Sequence, residues 1–352
     1  MEKKLGEIFF EVNERKHPEL PVLSIQQGIG TVFRDISERR ISYDKANINA
    51  YKVIEPGDFI IHLRSFEGGL ECSKHKGISS PAYKILRSNC IDSAAFKDYF
   101  RSYNFIEGKL AAAVTGIRDG KNIDMPTFWS LKINIPSLPE QKKIAAFFTL
   151  LDRRIQKQRQ FVEYLKTYKR GVFSVLLNSF SKYETLLLEN CASIKKGEQL
   201  NKTDMIKNGK YYVLNGGVAA SGRTDNFNTD KNTISISEGG NSCGFVLFNT
   251  EKFWSGGHCY TLQNLKQNVN NQYLFHYLKF HEKQIMSLRV GSGLPNIQKS
   301  ELEKFEVLLP SEDIQNKIAN IMSNITSYED VVKKELLNLD KLKLALLQKM
   351  FI

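Results

Sequence analysis

Residues 140–180 read EQKKIAAFFTLLDRRIQKQRQFVEYLKTYKRGVFSVLLNSF, and this stretch decides the fold. Ile144, Leu151, Gln158, Leu165 and Val172 recur every seven residues, with Phe148, Ile155, Val162, Lys169 and Leu176 four residues behind each. A seam of period about 3.5 is the mark of a long helix built to pair. The seam returns 174 residues later as Ile318, Ile325, Val332, Leu339 and Leu346, with Met322, Glu329, Leu336, Lys343 and Met350. Even the off-pattern Lys169 recurs, as Lys343. Two matching helices in one chain predict a folded-back coiled coil packed through Ile144, Phe148, Leu151, Ile155 and Leu165 on one side and Ile318, Met322, Ile325, Leu336 and Leu339 on the other. The polar seam residues Gln158, Lys169, Lys343 and Glu329 read as register devices or partner contacts.

The segments ahead of the two helices also repeat. In residues 1–139, Pro56-Gly57-Asp58 launches the strand Phe59-Ile60-Ile61-His62-Leu63, Gly68-Gly69 marks a turn, and Pro81-Ala82-Tyr83-Lys84-Ile85-Leu86 reads as another strand. Asp92 or Ser93 caps a predicted helix with the apolar face Ala95, Phe96, Tyr99, Phe100 and Tyr103. In residues 181–311, Leu188-Glu189-Asn190 answers Leu5-Gly6-Glu7, Ile234-Ser235-Ile236 answers the Phe59 strand, Gly239-Gly240 answers Gly68-Gly69, and Cys259-Tyr260 answers the Tyr83 strand. Tyr99 with Tyr273, Tyr103 with Tyr277, Pro136 with Pro310 and Gln141 with Gln315 keep the 174-residue offset. The expected class is therefore α+β: globular domains of strands and short helices at 1–139 and 181–311, each followed by a long helix, 140–180 and 312–352. Divergent loops on a repeated frame point to one design serving two different ligands or sequences.

Composition sets the broad class. The 352 residues carry a formal charge of +12, which favours a polyanionic partner. The first long helix holds nine basic residues, from Lys142 to Arg170, against Glu140, Asp152 and Glu163, whereas the second is near neutral. A basic face toward a polyanion or an acidic partner is expected of the first helix. No apolar run approaches a membrane span and Met1–Phe10 lacks signal-peptide features, so a cytoplasmic protein with no membrane partner is expected. Cys72, Cys90, Cys191, Cys243 and Cys259 are odd in number and scattered, as reduced thiols would be.

Catalytic motifs are missing where they are sought. Glu238-Gly239-Gly240-Asn241-Ser242-Cys243-Gly244 lacks the Gly-Lys-Ser/Thr ending of a phosphate loop, and Gly116–Asn122 has the wrong spacing. Asn270-Asn271-Gln272-Tyr273 lacks the prolines of an amino-methyltransferase motif, and Cys72-Ser73-Lys74-His75 has no second half for zinc. No Ser-His-Asp or paired-carboxylate arrangement can be argued, so no catalytic centre and no metal site is expected.

Donor-rich loops remain. Arg118 and Lys121 lie in a glycine-bounded loop suited to guanine edges or phosphates, and a solvated hairpin explains them equally well. The matching loop of the second half carries Arg289 and Ser292, with glycines that permit close approach to phosphate or serve a tight turn alone. Arg64, Lys74, His75 and Lys76 surround the first Gly-Gly turn, and Asn241, Ser242 and His258 occupy the comparable region of the second half. These eleven residues are the candidate DNA contacts; for any one of them an ordinary surface role is the competing reading. The aromatics at helical spacing are read as core.

Ile135-Pro136-Ser137-Leu138-Pro139-Glu140-Gln141-Lys142-Lys143-Ile144 with Leu151-Asp152-Arg153-Arg154-Ile155, Gly116–Ile123 upstream, and the second copy from Leu309-Pro310-Ser311 through Gln315-Asn316-Lys317-Ile318 resemble the specificity subunit of type I restriction-modification systems. The resemblance covers the whole chain, since domain, helix, domain, helix is that family's plan. It implies a pseudo-twofold arrangement in which each target-recognition domain reads one half of a bipartite, asymmetric site in double-stranded DNA, while the antiparallel coiled coil sets the spacer and docks two modification subunits. A helix of about 40 residues is about 60 Å long, enough to hold two readers about a turn of duplex apart. Methylation and cleavage fall to partners, modification subunits that use S-adenosylmethionine and restriction subunits that use ATP and Mg, so this chain binds no cofactor and is not itself an enzyme. The competing reading is a non-enzymatic hub that binds proteins through its coiled coil.

Overall fold

A computed structural model describes residues 1–34, 45–62, 69–116, 122–180, 182–291, 293 and 295–350. The chain divides into two compact units, Met1–Arg159 with Lys334–Ile352, and Gln160–Lys333. Each therefore takes one globular part and a portion of each long helix, which run over Leu138–Asn178 and Glu312–Met350.

The first unit is built on an antiparallel sheet ordered Phe10–Val12, Tyr83–Arg87, Phe59–His62, Glu71–Cys72. Phe59-Ile60-Ile61 is apolar without interruption because the sheet is covered on both faces. Alternation sends Phe59 and Ile61 into a core with Leu86, Phe96, Phe100, Phe105 and Phe128. Ile60 and Ile85 turn the other way, toward Leu23 and Ile54 of two small two-stranded antiparallel sheets. Phe59 meets Phe100 edge-on at 5.0 Å, and Phe100 meets Phe105 edge-on at 4.9 Å, the geometry that aromatic quadrupoles favour.

The expected single helix after Asp92 is broken. Asp92 does cap it, accepting from the Ala94 amide at 2.9 Å, but the helix stops after Ser93–Phe96. A 3-10 turn, Tyr99–Arg101, follows, and Ser102, extended and accepting from the Phe105 amide, starts a separate turn at Tyr103–Ile106. Ser102 competes for the backbone bonds a continuous helix would use, and Tyr103 is left exposed, outside the expected apolar face.

The second unit repeats the sheet. Its antiparallel order is Ser193–Lys196, Cys259–Gln263, Thr233–Ser237, Val246–Asn249, the same first, fourth, second, third arrangement by chain position. Ile234 and Ile236 enter the core beneath the helix Asn271–Phe280, which supplies Tyr273, Leu274, Tyr277 and Leu278. Ser235 between them faces Asn249, whose side-chain amide donates to its hydroxyl at 2.9 Å. Here one uninterrupted helix, capped by Asn270, replaces the three short turns of the first unit.

Every seam position of the first long helix is buried or half-buried, and so are those of the second apart from Met350, whose place inside is taken by Leu347. In the first unit Phe148, Leu151 and Ile155 pack with Leu336, Leu339 and Leu347. Asp152 meets Lys343 at 2.7 Å and Arg159 meets Asp340 at 3.0 Å, so one number falls as the other rises and the helices are antiparallel. In the second unit Leu176 packs among Ile318, Met322 and Ile325, and Phe173, one residue off the seam, turns into the domain core. The polar seam residues all find partners across the pair: Lys169 lies 3.4 Å from the seam residue Glu329, while Gln158 donates to Glu335, just off the seam, at 3.0 Å. No helix among the described residues is long and apolar enough to cross a membrane.

Candidate nucleic-acid interface

Both long helices are fastened to their domains by the same residue. Gln141 Oε1 accepts from the Asp92 amide at 2.7 Å, and its Nε2 donates to the Pro136 carbonyl at 3.0 Å. Gln315 Oε1 accepts from the Asn270 amide at 2.8 Å, and its Nε2 donates to the carbonyls of Asn268 and Pro310, each at 2.9 Å. Each glutamine ties the cap of a domain helix, Ser93–Phe96 or Asn271–Phe280, to the proline turn that opens the long helix. Ser137 caps that turn in the first copy, its amide and hydroxyl both donating to Glu140. The support is common to the two units; the chemistry mounted on it is not.

In the second unit one end of the central sheet gathers the expected residues. Ser237 pairs with Cys259 and Lys196 with Tyr260, so the segments at Lys196, Glu238–Ser242 and His258 emerge together. Ser242 Oγ donates to the Gly216 carbonyl at 2.7 Å, and the Glu238 amide donates to the His258 carbonyl at 2.9 Å. The loop after Arg289 joins them, since Val290 and Asn296 exchange two backbone bonds and the Gly240 amide donates to Pro295 at 3.0 Å. Gly240 turns with φ +73°, where a side chain is disfavoured. Asn241, His258 and Arg289 are exposed there, and Ser242 is half-buried.

Sequence reasoning missed Lys196, Glu238 and Tyr260 at the same place. Glu238 is buried, with Lys196 Nζ at 2.5 Å and the Tyr260 hydroxyl donating to it at 3.2 Å. Burial first, then the Glu238 carboxylate, pushes the Tyr260 phenol above its ordinary value. Nothing in a linear pattern brings positions 196, 238 and 260 together; only the strand pairing does.

In the first unit the expected cluster is taken apart. Glu71–Cys72 runs antiparallel to Phe59–His62, with Cys72 opposite Phe59, so Lys74, His75 and Lys76 continue past the start of that strand. They lie beside Asp58, whose carbonyl accepts from the Ser73 amide at 2.8 Å, whereas the Gly69 turn lies beyond the other end. His75 Nδ1 is 3.0 Å from the Thr31 carbonyl, which fixes the ring, and Lys76 is tied to Glu55 at 2.7 Å. Glu55 raises the Lys76 ammonium above its ordinary value. Lys74 alone of the three is exposed with no ion pair among the described residues. The sheet end equivalent to that of the second unit carries His62 and Tyr83, rings 5.2 Å apart, over a 240 Å³ cleft lined also by Gln27, Gly69 and Glu71. Close by, Lys84 holds Glu11 at 2.8 Å, and Lys52 donates to the Tyr83 carbonyl at 2.9 Å. Burial works to raise the Glu11 carboxyl, but the two lysines hold it below its ordinary value. Arg64, Arg118, Lys121 and Ser292 lie outside the described residues.

On the first long helix Lys142, Lys143, Arg153, Arg154 and Lys157 are exposed and form no ion pair among the described residues, while Arg159, Lys166 and Lys169 are paired. All five cysteines are free thiols, and burial pushes those of Cys72, Cys191 and Cys259 up to about 11.

With this geometry in view, comparison with known proteins is specific. The family of type I restriction modification DNA specificity domains matches residues 92–163 and 181–340, and the chain belongs to that family. It is 38% identical over 149 residues to a protein of Mycoplasma pneumoniae assigned as a type I specificity subunit, covering 42% of this chain and 40% of that one. A similarly assigned protein of Mycoplasma genitalium is 37% identical over 149 residues, 42% of this chain and 39% of its own. The specificity subunit of the type I restriction enzyme MjaVIII from Methanocaldococcus jannaschii is 26% identical over 125 residues, 35% of this chain and 28% of its own. The matched stretch thus spans about 40% or less of these curated relatives. In fold, the crystal structure of a type I restriction-modification S subunit from M. genitalium superposes with a TM-score of 0.67 at 17% identity, covering all of this chain and 96% of that one. A chain from a study of complex assembly and conformational transition in the type I R-M system gives 0.59 at 17% identity, over 99% and 96%.

Proposed function

We propose that this chain is the DNA-specificity subunit of a type I restriction-modification complex and that each unit reads one half of a bipartite, asymmetric duplex sequence. The observation that carries this reading is one frame built twice with different side chains at the equivalent sheet end. Lys196, Glu238, Asn241 and His258 stand there in the second unit, and His62, Tyr83 and Gln27 in the first. A common support with unlike polar ends fits two different base sequences better than two copies of one ligand. Arg64, Lys74, Arg118, Lys121, Arg289 and Ser292 are proposed to add phosphate or base contacts, and His75 and Lys76 to serve mainly the local fold. Domains at 1–139 and 181–311 carry recognition, with the helices 140–180 and 312–352 between and after them.

The coiled coil sets the spacer and docks two modification subunits in this reading. The exposed rings of Tyr164, Tyr168 and Tyr328 beside a 340 Å³ apolar groove support a protein-binding role for it. Methyl transfer with S-adenosylmethionine and cleavage with ATP and Mg belong to the modification and restriction subunits, in the cytoplasm, and this chain binds no cofactor.

The test is duplex binding by the chain assembled with modification subunits. Affinity should favour one sequence and fall steeply between low and high salt as condensed counterions are released. Exchanging residues 1–139 for those of a homologue should change one half of the preferred sequence and leave the other. A sequence-blind, salt-insensitive complex would establish the protein hub instead.

A further inference from the structure

At the sheet end of the second unit one buried carboxylate organises two side chains that open to solvent. Glu238 is 7% exposed. Its Oε1 accepts from Lys196 Nζ at 2.5 Å and from the Tyr260 hydroxyl at 3.2 Å. Its Oε2 lies 3.5 Å from His258 Nδ1 and accepts no hydrogen bond among the described residues. The side chains of Lys196 and His258 are 52% and 63% exposed. Lys196 is hydrogen-bonded on its inner side, His258 sits beside the free carboxylate oxygen, and both are open on their outer side. Backbone bonds lock the same three segments, for the Ile297 amide also donates to the Glu238 carbonyl at 2.8 Å.

Taking the Glu238 carboxylate out of water is costly, and both cation-capable side chains beside it stay open to solvent. The charge of an ammonium 2.5 Å from a carboxylate is partly offset by it. What it keeps is hydrogen-bonding capacity: of three N–H donors one is directed at Glu238 and two remain. His258 sets Nδ1 3.5 Å from Glu238 Oε2, and an imidazole that carries its proton on Nδ1 offers the Nε2 lone pair as an acceptor on its other side. Two donors beside an acceptor match the major-groove edge of a G·C pair, where guanine O6 and N7 accept and cytosine N4 donates. On adenine the second lysine donor would meet the N6 amino group, donor against donor.

We propose that Lys196 and His258, positioned by Glu238, read one G·C base pair in the major groove of duplex DNA. This rests on the DNA-reading function proposed above. The experiment is selection from a randomised duplex pool by the full chain assembled with modification subunits, comparing wild type with Lys196→Ala, His258→Ala and Glu238→Gln. Wild type should show a G·C preference at one position in the half read by the second unit. Lys196→Ala should lower that preference about tenfold and leave the other positions intact. His258→Ala and Glu238→Gln should weaken the same position. Equal loss of binding to all sequences with Lys196→Ala would assign Lys196 to phosphate and overturn the proposal, as would an unchanged preference. The two alanine variants alter exposed side chains, so the outcome does not depend on Glu238→Gln folding. A wild-type complex with no sequence preference would overturn the specificity reading itself, which is a different result from a selective wild type whose preference survives Lys196→Ala.

Discussion

Lys169 reaches across the helix pair to Glu329, setting Nζ 3.4 Å from Oε2 at seam positions that coiled coils ordinarily give to apolar side chains. Glu329 also holds Lys333 at 2.6 Å, and burial, only partly offset by Glu329, pushes the Lys169 ammonium below its ordinary value. Lys169→Leu strands a buried carboxylate that keeps only its exposed partner, and should cost about 1–3 kcal/mol in urea unfolding. Lys169→Leu with Glu329→Leu should recover most of that loss. A double variant as unstable as the single one would show that the pair does more than satisfy itself.

Acid should loosen the helix pair. Burial tends to raise the carboxyls of Asp152 and Glu329, but Lys343 and Lys97 around the first, and Lys333 and Lys169 around the second, hold both below their ordinary values. A carboxyl lowered by folding contributes stability above its unfolded value and loses that contribution as pH falls through its folded value. The melting temperature should therefore drop as pH falls below about 4. Asp152→Asn should flatten that acid limb, measured as the slope of melting temperature against pH.

The glutamine fasteners should be locally essential. Gln141→Ala removes the acceptor of the Asp92 amide and Gln315→Ala that of the Asn270 amide, and both side chains are buried. An unsatisfied buried donor costs about 1–3 kcal/mol. Hydrogen exchange should quicken at the Asp92 amide in the first variant and at the Asn270 amide in the second, each without loss of protection at the other.

Spacer control is testable by subtraction. Removing 157–163 and 331–337 deletes Gln158 together with its partner Glu335, and keeps Lys169 with Glu329 and Lys343 with Asp152. One heptad is about 10 Å of helix, so the unspecified spacer in the methylated sequence should shorten by about three base pairs. Methylome sequencing of a host carrying the shortened chain reads this directly, and an unchanged spacer would remove the helices as the ruler.

Much of the frame is legible along the chain because it rests on periodicity. The seam, the 174-residue offset and the Phe59 and Ile234 strands follow from apolar spacing that any local window contains. The helix expected through Tyr103 is not there because Ser102 starts its own turn, a competition between a side chain and the backbone that apolar spacing does not register. The candidate interface is legible only in part. Asn241, Ser242, His258 and Arg289 stand out along the chain as donor-rich loops and gather at one sheet end. Lys74, His75 and Lys76 are near the Gly69 turn in sequence, but antiparallel pairing carries them to the opposite end of the strand pair.

By itself the sequence determined that this protein is a duplicated α+β chain with two pairing helices, since heptads and repeats are properties of order along a chain. Only the tertiary structure decided that Lys169 answers Glu329, that Lys343 turns instead to Asp98 and Asp152, and that Lys196, Glu238 and His258 share one site. Those contacts join residues from 20 to 245 positions apart, and strand register and helix packing choose among such partners where spacing cannot.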